Sequence, residues 1–198
     1  MKHLQEIAAR ISRGGAIIGG AMLLLAAITI CIDIVLRYAF AMTVGGADEL
    51  AGYALAISSA WGFSAALLSR SHIRIDTVYV RVGSRVRATL DLLSAGCFTL
   101  FVGLVAWYGW GVLQQSYRSD SHSLSAIEMP LVLPQTLWFA GLAFFVAVAL
   151  LLLARALHAY LAGDLAKVFE LIGSKSAVAE AEEEIRATAQ ALEGERNK

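Results

Sequence analysis

Four long apolar runs dominate the chain, at 14–38, 48–69, 85–115 and 134–157, and short charged stretches separate them. The most telling is the one that begins at Asp48. It opens with two adjacent carboxylates, Asp48 and Glu49, and closes in a polar cluster, Arg70, His72, Arg74 and Asp76. Between them lie about twenty residues with no charge, enough to cross a bilayer as one helix. A helix on a water-soluble protein lines one face with polar groups. Here the charge sits at the two ends, where a spanning helix meets water. The pattern predicts an all-α integral membrane protein with four transmembrane helices.

The flanking segments divide the chain into a leading stretch over 1–13, a membrane domain over 14–160, and a tail over 161–198. In the leading stretch, Leu4, Ile7 and Ile11 recur at helical spacing among the cations Lys2, Arg10 and Arg13, as in an amphipathic segment. The apolar run that follows is too long for the core of a signal peptide. Arg37 also interrupts it before the cleavage-like Ala39-Phe40-Ala41, so it reads as an uncleaved first span. Gly15 and Gly19 form a GxxxG pair, a signal for close helix packing. Trp61, far from either interface, reads as a packing anchor. Ser84 is placed to cap the third helix, and Pro134 suits the first turn of the fourth. In the tail, Leu165, Val168, Phe169 and Ile172 predict a cytoplasmic amphipathic helix. The Ala/Glu-rich stretch after it reads as a solvated helix.

Lysine and arginine set the orientation. They gather in the N-terminal segment, the 70–88 loop and the tail, while the other two loops hold only Arg37 and Arg118 between them. Both termini are therefore expected in the cytoplasm. Trp107, Tyr108, Trp110 and Tyr117 then fall at the same outer face as Trp138, as an aromatic belt would.

Composition agrees with this picture. The 198 residues are 58% hydrophobic and 16% charged, where soluble domains carry roughly a quarter charged residues. Zero net charge gives no reason to expect nucleic-acid binding. Cys31 and Cys97 fall inside apolar runs and read as small buried residues, with no metal-ligand spacing. The four histidines, His3, His72, His122 and His158, stand at ends or in loops, so none is placed to ligate haem inside a span. No nucleophile–base pair stands out, and no cofactor or catalytic residue is expected.

Some charged residues are candidates for other roles. Asp33 and Arg37, four apart, share a helix face. We read them as a structural ion pair near the interface; the alternative is a proton or ion site. Asp48 and Glu49 complement a helix N-terminus, or contact a partner subunit. Arg74, Arg81, Arg85 and Arg87 make the 70–88 loop a basic patch for phospholipid headgroups. Every ionisable group is expected at a water boundary, which leaves nothing at the midplane to grip a solute.

The second span and its flanks are more specific still. Glu49-Leu50, Gly62 and His72-Ile73-Arg74-Ile75-Asp76 occur in series, with Arg37-Tyr38 at the end of the first span. In these motifs residues 10–160 resemble the small membrane subunit, DctQ type, of tripartite ATP-independent periplasmic (TRAP) transporters. The chain departs from that family's pattern at Gly45-Gly46, where a Trp is common, and at Gly52, where a basic residue is. Its Trp61 also stands one turn beyond the usual mid-span Trp position, which holds Ile57.

The resemblance implies a non-catalytic permease subunit of the bacterial inner membrane. A periplasmic substrate-binding protein would capture an organic-acid type solute, and a large membrane subunit would carry it inward by symport with an ion. This chain would serve that large subunit as a scaffold. Asp33, Arg37, Glu49, Gly62, His72 and Asp76 are then the expected partner or structural positions. His72 and Asp76 would fix the inner loop for docking, or else that loop is solvated. Two other functions stay open at this point: an autonomous homo-oligomeric carrier or channel, and a membrane anchor for a redox complex.

Overall fold

The structure, a computed structural model, describes residues 2–70 and 82–173. All of the regular structure among them is helical: α1 (Lys2–Phe40), α2 (Ala47–Leu68), α3 (Ser84–Arg118), α4 (Val132–Leu161) and α5 (Leu165–Ile172). The first four are each long and apolar enough to cross a membrane. The N-terminal segment and the first span are one unbroken helix. At 1.5 Å per residue α1 measures about 58 Å and α2 about 33 Å, so only α2 comes close to matching the hydrocarbon thickness of a bilayer. The longer helices must tilt or project.

The four long helices stand in the order α1, α2, α4, α3. Small residues make each contact possible. A Cβ on Gly19 would lie 2.8 Å from Ser58 Cβ, and one on Gly15 would lie 3.0 Å from Trp61 Cε3. The GxxxG pair thus brings α1 onto α2, which offsets the cost of about 1 kcal/mol for each glycine inside a helix.

On the other side of α2, a Cβ on Gly141 would lie 2.7 Å from Trp61 Cδ1. The Trp61 indole is therefore seated between a glycine of α1 and a glycine of α4. Its Nε1 donates to the Leu137 carbonyl at 3.1 Å, and its ring stacks on Phe144 at 5.9 Å between centroids. Trp61 is the packing anchor its mid-span position predicts.

Between α3 and α4, Gly109 admits the Trp138 ring, and Val102, Leu142 and Phe145 form a small core. The helix α5 returns along the end of the bundle. Asp164 caps it, accepting from the Lys167 amide at 3.0 Å. Val168, fully buried, packs on Ala88 of α3 and Ala159 of α4.

The start of α3 differs from expectation. Gly83 is the N-cap, and Ser84 is the first helical residue, with no side-chain cap bond. Extended backbone at Gly83 leaves Ser84 already inside the first turn.

Candidate functional site

The polar chemistry is concentrated at the two ends of the bundle. At the end that carries the 41–46 and 119–131 loops, Asp33 is buried, only 3% exposed. Its Oδ1 accepts from the Val44 amide at 2.7 Å and from the Thr43 hydroxyl at 2.8 Å, and its Oδ2 accepts from Arg37 at 2.5 Å. Thr43 Oγ1 in turn accepts from the Gly45 amide. The carboxylate thereby holds the connection that turns α1 into α2. Arg37 is mostly solvated, so the exposed cation adds little beside the backbone and hydroxyl bonds. Asp33 and Arg37 do form the expected pair, and the same carboxylate is also a loop clasp.

Glu49 braces the neighbouring loop in a similar way. It accepts from the Tyr53 hydroxyl on its own helix, and the hydroxyls of Ser123 and Ser125 in the second loop also bond its carboxylate. Asp48, its neighbour, is exposed. The second loop folds on itself: the Ser123 amide donates to the Met129 carbonyl, and the Leu131 amide to that of Ser121. Ile127 lands on Gly46, where a Cβ would lie 2.5 Å from Ile127 Cδ1 and where φ is +82°. That left-handed backbone and that contact both require glycine. Gly46→Val is expected to destabilise the protein by about 2 kcal/mol through strain and displacement of Ile127. Gly52→Ala, on an open helix face, should cost nothing. Thermal melts of the two variants in detergent check the contrast.

At the opposite end, Arg70 terminates α2 with φ +57° and donates from Nη1 to the Phe169 carbonyl of α5 at 3.2 Å. Arg87 Nε donates to the Val82 carbonyl at 3.0 Å, and Arg85 is exposed. Thr89 and Tyr160 share a hydrogen bond between α3 and α4. Four of the singled-out positions, His72, Arg74, Asp76 and Arg81, lie outside the described residues. Gly62 faces open space, with no atom within 4 Å of a Cβ built there.

Two charged groups escaped the sequence reading. Asp91, two turns into α3, is 1% exposed, and Arg155, in the last third of α4, has a buried Nη1 without a hydrogen-bond partner. With Asp33 they show that ionisable groups are packed inside the protein towards the ends of the helices as well as exposed on the loops. A helix-by-helix hydropathy window averages such residues away; their position relative to the bundle end was the available signal. Ser123 and Ser125 were missed because their role depends on a fold-back of the loop that no local pattern announces. Among the described residues, no three His, Cys, Asp or Glu side chains gather as a metal-binding group.

The family model for tripartite ATP-independent periplasmic transporters, DctQ component, matches residues 26–159. The chain belongs to the DctQ family. The match begins inside α1, takes in Asp33, the Glu49 brace and Trp61, and ends near the close of α4. It leaves out the whole N-terminal segment and the first part of the span in α1, Gly15 and Gly19 included, and all of α5. No curated protein and no solved structure matches the chain. As a DctQ member it is a small component of a TRAP transporter and a multi-pass membrane protein. Membership also implies partnership with a large membrane subunit and a substrate-binding protein.

Proposed function

We propose that this chain is the non-catalytic scaffold of a TRAP transporter in the bacterial inner membrane, bracing the large subunit that moves an organic-acid type solute on an ion gradient. The observation that carries the reading is the use of its polar groups. Asp33 and Glu49 are spent on fastening the outer connections. The middle of the bundle is held by Trp61 between two glycines, with aromatic and aliphatic packing on either side. Such a body has stiffness to lend and, among the described residues, no charged group midway along the bundle.

Both termini lie in the cytoplasm on this reading, supported by the lysine and arginine distribution. Arg85 and Arg87 then face the inner leaflet, where Arg85 meets phospholipid headgroups. Gly62 and Gly52, open on α2, would let a helix of the large subunit approach the backbone.

Uptake tests the proposal. Proteoliposomes holding the large subunit, the binding protein and this chain should accumulate solute. Omission of this chain should abolish most of that uptake, and this chain alone should carry none. Uptake by this chain alone, or full uptake in its absence, would refute the scaffold role.

A further inference from the structure

The helix α1 stands at one edge of the row. Only 6% of its most apolar stretch is buried, against 22% to 33% for the other three spans. Its sequence divides by a seven-residue period, whose positions run a to g with Ile11 at a. Positions e and b face α2: Ala8 at e and Ser12, Gly19 and Asp33 at b are buried. Positions a and d form a second line beside that one. The a positions hold Ile11, Ile18, Leu25 and Ile32; the d positions hold Ile7, Gly14, Ala21, Ile28 and Val35. None of them is buried, and Ile18, Leu25 and Val35 are 64%, 64% and 60% exposed. The charged residues of α1 avoid this line. Lys2, Glu6, Arg10, Arg13 and Arg37 fall at c, f and g, and Asp33 at b.

Within the bilayer an apolar line needs no partner, because lipid tails cover it. The inner end of the line is the informative part. Arg10 and Arg13 mark the water boundary, and Ile7 and Ile11 continue the line there, each 43% exposed. From Ile7 to Val35 the line measures about 42 Å, against about 30 Å of hydrocarbon. To hide it all in lipid, α1 would have to tilt by about 45°, more than spanning helices do. An apolar line of this period is the seam of a left-handed helix pair. Gly14 and Ala21 let a second helix come close, and no atom lies within 4 Å of a Cβ built on Gly14. Arg10, at g, flanks the seam. Two copies of this chain, inserted the same way, would run parallel and bring four arginines to one level. A helix with an acidic end fits that flank better. We propose that a transmembrane helix of the large subunit lies along the a/d line of α1, with carboxylates at its inner end facing Arg10. The partner's identity rests on the scaffold reading; the seam itself does not.

The full chain is coexpressed with the large subunit, and the photo-crosslinker benzoylphenylalanine replaces single residues of α1. Positions on the line, Ile11, Ile18 and Leu25, should cross-link to the large subunit in membranes. Leu23 and Ala27, exposed at f and c on the same helix, should not. Ile7→Ser with Ile11→Ser removes apolar surface only from the inner end. It should weaken copurification of the large subunit about tenfold or more and leave the melting temperature of the chain alone unchanged. If that variant melts below the parent, Arg10→Glu carries the measurement. It should lower copurification at low salt, with the difference shrinking as salt is raised.

Several outcomes would overturn the proposal. Equal cross-linking from Leu23 and Ala27 would mean that no seam exists. A cross-linked product of twice this chain's mass would assign the line to a second copy. Absence of cross-links from all five positions would leave the line to lipid. The two readings fail separately. Full uptake without this chain, with the cross-links intact, would refute the scaffold role and keep the seam. Dependence of uptake on this chain, with no cross-link from the line, would refute the seam and keep the scaffold role.

Discussion

Replacing Trp61 with alanine is expected to lower the stability of the bundle by about 4 kcal/mol, as for large-to-small changes at packed aromatic sites. The indole reaches from α2 to both α1 and α4. In a bilayer the lipid tails are as apolar as leucine, so helix association rests on close packing and interhelical hydrogen bonds. Trp61 supplies both: it fills the notch of Gly15 and Gly141, and it donates to the Leu137 carbonyl. A smaller residue leaves a void with no partner atoms on two sides.

The reciprocal change isolates the notch. Gly141→Leu should cost about 3 kcal/mol by forcing the ring out of its place, while Gly20→Leu, where a Cβ meets nothing within 4 Å, should be tolerated. Reversible unfolding in mixed micelles, with tryptophan emission for the Gly variants and helicity for Trp61→Ala, reads the differences. Equal loss at Gly20 and Gly141 would mean that glycine matters here through backbone flexibility and not through contact.

Asp33→Ala is the second large effect. The carboxylate accepts from a backbone amide, a hydroxyl and a guanidinium, and alanine leaves the amide of Val44 and the hydroxyl of Thr43 without their acceptor. A fall of several degrees in melting temperature is expected. New proteolytic cleavage in the 41–46 connection is expected as well. Asp33→Asn keeps an oxygen for Val44 and Thr43 and gives up only the attraction to a solvated Arg37, so it should lose only a little of that stability. Arg37→Gln should resemble it. If asparagine proved as damaging as alanine, the ion pair and not the loop clasp would be the role of Asp33.

The helices were legible in the sequence because a bilayer imposes a simple rule. Each span must satisfy its own backbone and present apolar side chains for its whole length. The Asp33–Arg37 pair was legible as well, since residues four apart always share a helix face. What lies between helices obeys no such rule. Nothing in the sequence of the 119–131 loop tells that Ile127 will cover Gly46, or that Ser123 and Ser125 will reach Glu49. Those contacts depend on how α2 and α4 are set relative to each other, which Trp61 and Gly141 decide. Trp61 itself was readable as an anchor, but its two glycine partners lie 46 and 80 positions away along the chain. Asp91 and Arg155 were hidden for a different reason. Asp91 follows Arg85 and Arg87 in the first turns of α3, and Arg155 is a single charge late in α4; average hydropathy over such long runs registers neither.

The order α1, α2, α4, α3 has one more result. Helices that close into a ring hide their inner sides and can hold water between them; helices in single file have no lumen. Leu24 on α1 and Leu100 on α3 turn most of their surface outward, so hydrocarbon or a neighbour takes the place of a core. Such a palisade has a large perimeter for its mass. On the proposed scaffold reading, such a palisade joined edge-on to the large subunit would widen that subunit's footprint in the bilayer and raise its resistance to tipping.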